Sequence, residues 1–298
     1  MENREERAIG VIGGSGIYRL EGLEGRREIH LETPFGKPSD VFVEGWVGQR
    51  RCVFLARHGR YHSILPHEIN YRANIWGMKK LGVEFLISVS AVGSMREEIC
   101  PGDLVFPDQL FDRTRQRPSS FFGEGVVAHV SFGDPFCMDL LELLYRKALE
   151  LGYRSHRGGT YLCIEGPQFS TKAESRIYRQ WGVDVIGMTN LQEAKLAREA
   201  EICMATVALV TDYDCWHQEE GEVNVESVLE VMRANVEKAQ RLILEVVGEI
   251  SGERSCGCGR SLDGAIMTPR EAIPAQTYQR LSLLIEKYFQ NSQESLGE

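Results

Sequence analysis

Thr211-Asp212-Tyr213-Asp214 closes an unbroken apolar run, Cys203-Met204-Ala205-Thr206-Val207-Ala208-Leu209-Val210. The run reads as a buried parallel strand. In an open α/β sheet the carboxyl ends of strands are where ligands bind. Two carboxylates spaced i, i+2 are expected to leave that end on the same side. Such a pair holds a proton on a ring nitrogen and accepts a hydrogen bond from an adjacent amino group. Adenine presents that pattern along N7 and N6. The plain alternative is a turn with two solvated acids.

Other strand ends carry groups suited to an anion. Gly13-Gly14-Ser15-Gly16 follows the strand Ala8 to Ile12 and reads as a phosphate loop or a tight turn. It lacks the third glycine of a dinucleotide fingerprint. Arg57-His58-Gly59-Arg60 follows the strand Cys52 to Ala56. There Arg57 could fork two phosphate oxygens and His58 add a third donor, or the turn is simply basic and solvated. His62 and His67 lack the spacing of a metal-binding helix face. Ser88 to Ser94 ends the next strand in small residues, with Ser90 Oγ and the Ala91 N–H as candidate phosphate donors. Met188-Thr189-Asn190 occupies a similar place. Phe169, after Glu165-Gly166-Pro167-Gln168, either stacks on a base or belongs to the core.

These groups need a scaffold of alternating elements. Helical spacing predicts helices over 70–81, 139–151, 171–181, 192–201, 225–250 and about 270–289. Apolar runs between them predict strands, and the stretch after Pro107 reads as a polar loop through Gly123. The alternation implies a single α/β domain over 8–250, with a central mixed, largely parallel sheet flanked by helices. Residues 251–298 form a C-terminal extension with a Cys-Gly-Cys segment and a terminal helix.

The net charge of −9 argues against a nucleic-acid surface, so any phosphate must be held by a local pocket. No apolar stretch reaches the roughly 18 residues that span a bilayer, and the polar N-terminus does not read as a signal peptide. A cytoplasmic location is expected. Six of the eight cysteines are dispersed, mostly in apolar contexts, and read as small buried hydrophobes. Cys256 and Cys258 lie in a Gly/Ser/Arg-rich segment. A zinc site would need about four ligands, and no histidine lies nearby in sequence. Reduced thiols and a strained disulfide or redox clasp both remain open.

Taken together, the chain resembles the methylthioadenosine phosphorylase branch of the trimeric purine nucleoside phosphorylases. The resemblance rests on GGSG at 13–16, RHGR at 57–60, NYRANIW at 70–76, GSMREEICPGDLV at 93–105 and DRTRQRPSSFF at 112–122. It continues with DPFC at 134–137, EGPQFSTKAES at 165–175, MTNLQEAKLAREA at 188–200 and TDYDCW at 211–216. It implies reversible phosphorolysis of 5′-methylthioadenosine to adenine and 5-methylthioribose 1-phosphate, with phosphate as co-substrate and no metal or organic cofactor. It assigns phosphate to Ser15, Arg57, His58, Ser90, Ala91 and Thr189, and ribose to Met188. Asp212 would face N7 as the catalytic acid, Asp214 the 6-amino group, and Phe169 the purine. Ser170 and Val225 would help set specificity, and Val228 would line the 5′ pocket. His129 would reach the alkylthio group from a neighbouring subunit of a homotrimer or hexamer. Related sequences usually carry Pro where this chain has Gln192, which is expected to relax that helix start with little effect on chemistry. The Cys256/Cys258 pair resembles pairs that support disulfides in some prokaryotic and archaeal members.

Three rival readings remain. A phosphorylase of 6-oxopurines (methylthioinosine, inosine or guanosine) would present an acceptor to Asp214, which an ionised carboxylate repels. A non-catalytic nucleoside sensor should lack a phosphate ligand or the N7 acid. A dinucleotide oxidoreductase lacks its fingerprint.

Overall fold

The four central strands are apolar on both faces, so both faces must be covered. They are β1 (Ala8–Gly13), β4 (Arg50–Ala56), β5 (Val83–Ser94) and β11 (Cys203–Asp212), and they run parallel in the order β4-β1-β5-β11. The structure is a computed structural model that describes residues 7–14, 16, 22–217, 225–250 and 253–290, the side chains of 225–229 excepted. Strand alternation sorts side chains between two cores. Cys52, Phe54, Val207 and Leu209 pack with α2 (Met138–Glu150) and α5 (Val225–Glu249). Val53, Leu55, Leu86 and Met204 pack on the other side with α1 (Tyr71–Lys80) and α4 (Asn190–Glu199).

β5 is the pivot. Its first half lies between β1 and β11, while Gly93 and Ser94 pair antiparallel with β10 (Val185–Gly187). β10 continues to β9 (Thr160–Ile164) and β7 (Gln109–Arg113), and β11 branches through β6 (Leu104–Phe106) to β8 (Ser155–Arg157). β2 (Glu24–Ile29) and β3 (Phe42–Val47) extend the other side antiparallel. The result is the mixed, helix-flanked α/β sheet expected from the alternation.

Several boundaries differ from expectation, each for a physical reason. β2 and β7 are edge strands with mostly polar, exposed residues, so no apolar run announces them. The last helix is broken. A 3₁₀ turn at Arg270–Ala272 precedes α6 (Ala275–Ile285) and α7 (Lys287–Gln290), and Pro274 holds the extended N-cap position of α6. Thr171 and Glu174 form a capping box that starts α3 (Lys172–Gln180) where the sequence suggests. The C-terminal stretch is packed into the same body: Cys258 joins one core, and Ile273, Leu281, Leu284 and Ile285 join the other.

Candidate active site

A cavity of about 420 Å³ opens over the carboxyl ends of β1, β4, β10, β11 and β9, beside the second half of β5. Arg57, His58, Ser90, Ala91, Phe169, Ser170, Met188, Thr189, Asp212 and Asp214 all line it. Ser15 lies outside the described residues, although its neighbour Gly14 is in the wall. The side chains of Val225 and Val228 also lie outside them; Met232, further along α5, reaches the cavity. His129 is exposed and away from this cavity, its N–H donating to the Ala265 carbonyl at 2.9 Å.

The two acids reach the cavity by different routes, not by simple strand alternation. The β11–β5 register shifts between Val210 and Asp212, and Asp214 starts a 3₁₀ turn with φ of 52°. A left-handed Asp costs roughly 1–2 kcal/mol. It is held there by its own N–H donating to Asp212 Oδ1 at 2.8 Å and by the Ser175 hydroxyl donating to Oδ2. Gly93 makes room, since a Cβ there would lie 2.8 Å from Asp212 Oδ1. Burial pushes the Asp214 carboxyl up to about 6, opposed by the Ser175 hydroxyl and aided by the neighbouring Asp212. Burial also raises Asp212, opposed by the Thr211 hydroxyl and the Asp214 N–H. The pair therefore keeps a proton well above the usual carboxylate range. Phe169 is 53% exposed, so it is cavity wall and not core. Ser170 Oγ is buried without a hydrogen-bond partner among the described residues.

At the other end, Arg57 is not available as a phosphate fork. Its Nε and Nη2 grip the Glu193 carboxylate, Nη2 also donates to Ser88 Oγ at 2.8 Å, and Nη1 donates to the Val89 carbonyl at 2.9 Å. One Nη1 hydrogen is left for an anion. His58 also differs from expectation. Its Nδ1 lies 2.8 Å from the Ile64 carbonyl and must donate to it. Burial, with the Arg57 charge adding to it, lowers the ring to about 4, so the imidazole is neutral and Nε2 is an acceptor. His62 stacks on it with ring centroids 4.4 Å apart.

Ser90 and Ala91 lie within β5, because pairing to β10 and β11 carries that strand on to Ser94. Ser90 Oγ is 2.9 Å from the Tyr161 hydroxyl and 3.5 Å from Thr189 Oγ1. Gly187 permits this approach, since a Cβ there would collide with Tyr161.

Sequence reasoning missed Glu193, Tyr161, Ser175 and Arg117. Each is a buried partner from a distant segment; Glu193, Ser175 and Arg117 lie inside the matched stretches, but nothing local in the sequence gives them a role. Arg117 donates to the carbonyls of Ile164, Glu165 and Met188, tying β9 to β10 at the cavity floor. Gln192 completes the network, accepting from Arg117 at 3.2 Å and donating to Thr114 Oγ1 at 2.9 Å. α4 begins two residues before the predicted start, so Gln192 is its third residue and is fully packed.

Residues 8–248 match the family described as the phosphorylase superfamily. An S-methyl-5′-thioadenosine phosphorylase of Geobacter sulfurreducens is 58% identical over 284 residues, covering 95% of this chain and 99% of that one. A crystal structure of a methylthioadenosine phosphorylase from an antarctic soil metagenomic library superposes with a TM-score of 0.89 at 47% identity, covering 94% and 99% of the two chains. A Schistosoma mansoni methylthioadenosine phosphorylase in complex with adenine gives a TM-score of 0.80 at 35% identity, covering 94% and 98%. The fold, the cavity at the strand ends and these similarities lead to one conclusion: the chain belongs to the phosphorylase superfamily and, within it, to the S-methyl-5′-thioadenosine phosphorylases.

Proposed function

We propose that this cavity binds 5′-methylthioadenosine and inorganic phosphate and catalyses reversible phosphorolysis to adenine and 5-methylthioribose 1-phosphate. The observation that carries the reading is one cavity with two unlike ends. Asp212 and Asp214, both raised, face the hydroxyls of Ser90 and Thr189, His58 and the last N–H of Arg57. The relatives named above support the choice of nucleoside.

Phosphate sits at the hydroxyl end, joined by Ser15. His58 Nε2 accepts the proton of a monohydrogen phosphate, which turns the other oxygens toward Ser90, Thr189 and Arg57 and toward the sugar. Phe169 and Met188 hold the purine and ribose. Ser170 Oγ has no partner among the described residues and offers its hydrogen bond to the nucleoside. Asp214, ionised above about pH 6, accepts from the 6-amino group. Asp212 shares its proton with N7 as the glycosidic bond breaks, so adenine need not leave as an anion. The phosphate charge stabilises the positive ribosyl ring, and holding both reactants together removes up to about 7–11 kcal/mol of entropic cost in favourable systems.

The reading includes no metal or organic cofactor in the reaction, with inorganic phosphate as co-substrate. The reading includes a homotrimer, or a pair of trimers, in which the exposed His129 closes a neighbour's 5′ pocket with Val225 and Val228. It also includes action in the cytoplasm. Among the described residues no helix is long and apolar enough to cross a membrane.

The test is phosphate-dependent release of free base, with methylthioadenosine and methylthioinosine compared side by side. Faster adenine release is expected. Faster hypoxanthine release would mean that Asp214 stays protonated in the complex and would move the function to 6-oxopurines. Base release without phosphate would overturn the phosphorylase reading.

A further inference from the structure

Four cysteines converge at the amino end of β11, at the opposite end of that strand from the candidate active site. The Sγ atoms of Cys137, Cys203, Cys256 and Cys258 all lie within 4.8 Å of one another. Cys256 Sγ is 3.3 Å from Cys203 Sγ and 3.6 Å from Cys137 Sγ. We propose that these four thiols form a closed tetrahedral site for a structural zinc ion, which clasps the C-terminal segment to the sheet.

Geometry carries the proposal. Four sulfurs at about 2.3 Å from a zinc ion lie about 3.8 Å apart along the edges of the tetrahedron. The two Cys256 separations, 3.3 and 3.6 Å, are a few tenths of an ångström shorter, the others stay within 4.8 Å, and no two of the thiols are bonded. The sequence alone offered only two of the four ligands. The others come from 119 and 53 residues upstream of Cys256. Cys137 is the N-cap of α2, yet its side chain caps no helix N–H and is left to ligate. Its own N–H donates to the Met204 carbonyl at 2.7 Å, which fixes it beside Cys203. Cys256 and Cys258 flank Gly257 in a short 3₁₀ turn and face the pair from above.

The surroundings suit a structural ion. Cys137, Cys203 and Cys258 are buried against an apolar core, and four protein ligands leave no open position for chemistry. Binding Zn²⁺ releases four thiol protons and leaves two net negative charges on the cluster. The Arg198 guanidinium, 4.0 Å from Cys258 Sγ, offsets part of that charge. No oxidant is required, unlike pairing of the same thiols as disulfides.

The experiment is metal analysis of the full-length protein, expressed with zinc in the medium and purified under reducing conditions without chelator. Mass spectrometry of the same sample under denaturing, non-reducing conditions accompanies it. The expected result is about one zinc per chain with all eight cysteines as thiols, and cobalt replacing zinc with intense thiolate-to-metal absorption. Loss of the zinc in the Cys256→Ser/Cys258→Ser variant, with phosphorolysis retained, would place the ion here. Thiols fully reduced with no stoichiometric metal would overturn the proposal. So would a mass lower by two or four hydrogens with loss of the matching thiols, which would assign one or two disulfides to the cluster.

Discussion

The two ends of β11 are built on opposite principles. At the amino end, Cys203 meets three other cysteines in a closed, mostly apolar cluster. At the carboxyl end, about 30 Å away along nine residues of strand, Asp212 and Asp214 face an open cavity. The strand between them, Met204 to Val210, is buried throughout and simply fills the cores. The difference lies in how each end treats unfavourable energy. The carboxyl end keeps it: a left-handed Asp, two acids raised by burial, and a buried Ser170 hydroxyl with no partner among the described residues. On the proposed function a substrate supplies partners to the acids and to the hydroxyl, while the Asp214 backbone stays as the fold holds it. The amino end leaves nothing for a substrate to relieve.

The contrast predicts that damage at the carboxyl end shows in rate before it shows in stability. Asp212→Asn keeps the shape and can still donate to N7, but it delivers no proton. The expected loss in kcat is about 10²–10⁴-fold, with a melting temperature no lower than that of the parent. Retention of kcat within a few-fold would remove Asp212 as the acid. Glu193→Ala tests the opposite case, a site residue whose first duty is structural. It leaves the buried Arg57 guanidinium unpaired, and breaking such a pair costs about 3–5 kcal/mol. Urea denaturation should show that loss. A stability change under 1 kcal/mol would mean that Arg57 finds another partner and turns its fork to phosphate after all.

Acid pH sharpens the comparison further. Asp214 rises from 3.8 to about 6 in the free protein. Below about pH 6 it is protonated and loses its acceptor, so kcat/KM for methylthioadenosine should fall about tenfold per pH unit there. A protonated Asp214 donates to a 6-oxo group, so the relative rate on methylthioinosine should rise over the same range. The stability sign is opposite to that of a salt-bridged carboxylate. The folded state holds the proton where the unfolded chain has lost it, so this group's contribution to stability declines as pH climbs from about 4 to 6. A ratio of the two substrates that is flat between pH 5 and 7 would separate Asp214 from base recognition.

These tests also mark what the sequence made legible. The β11 run, the glycine-flanked strand ends and the helical stripes of α1, α2 and α5 follow from local pattern, and they suffice for the sheet and for most cavity-lining residues. What local pattern could not supply is the partner of each polar side chain. Arg57 reads as a free fork until Glu193, 136 residues on, is seen to occupy it. His58 reads as a donor until the Ile64 carbonyl fixes its Nδ1 proton. Cys256 and Cys258 read as a pair on their own, reduced or disulfide-bonded, because Cys137 and Cys203 lie in apolar stretches that look like plain core. Edge strands β2 and β7 stay hidden for a related reason: pairing at a sheet edge asks little of side-chain polarity.

Gln192 gives the smallest and most discriminating effect. From sequence, its replacement of proline should only loosen the start of a helix. In the structure its side chain is buried between Arg117 and Thr114, beneath the Met188 carbonyl that Arg117 also holds. Gln192→Pro removes both hydrogen bonds, about 1 kcal/mol each in net worth. Proline in the first turn returns about 0.4–1 kcal/mol by restricting the unfolded chain. The expected outcome is therefore a loss of about 1 kcal/mol, a few-fold rise in KM as Met188 loosens, and an unchanged kcat. Gln192→Ala loses the same bonds without the backbone gain, so it should be the less stable of the two while matching it in KM. If proline instead matches the parent in KM and exceeds it in stability, the amide is a bystander and the floor of the cavity is held by Arg117 alone.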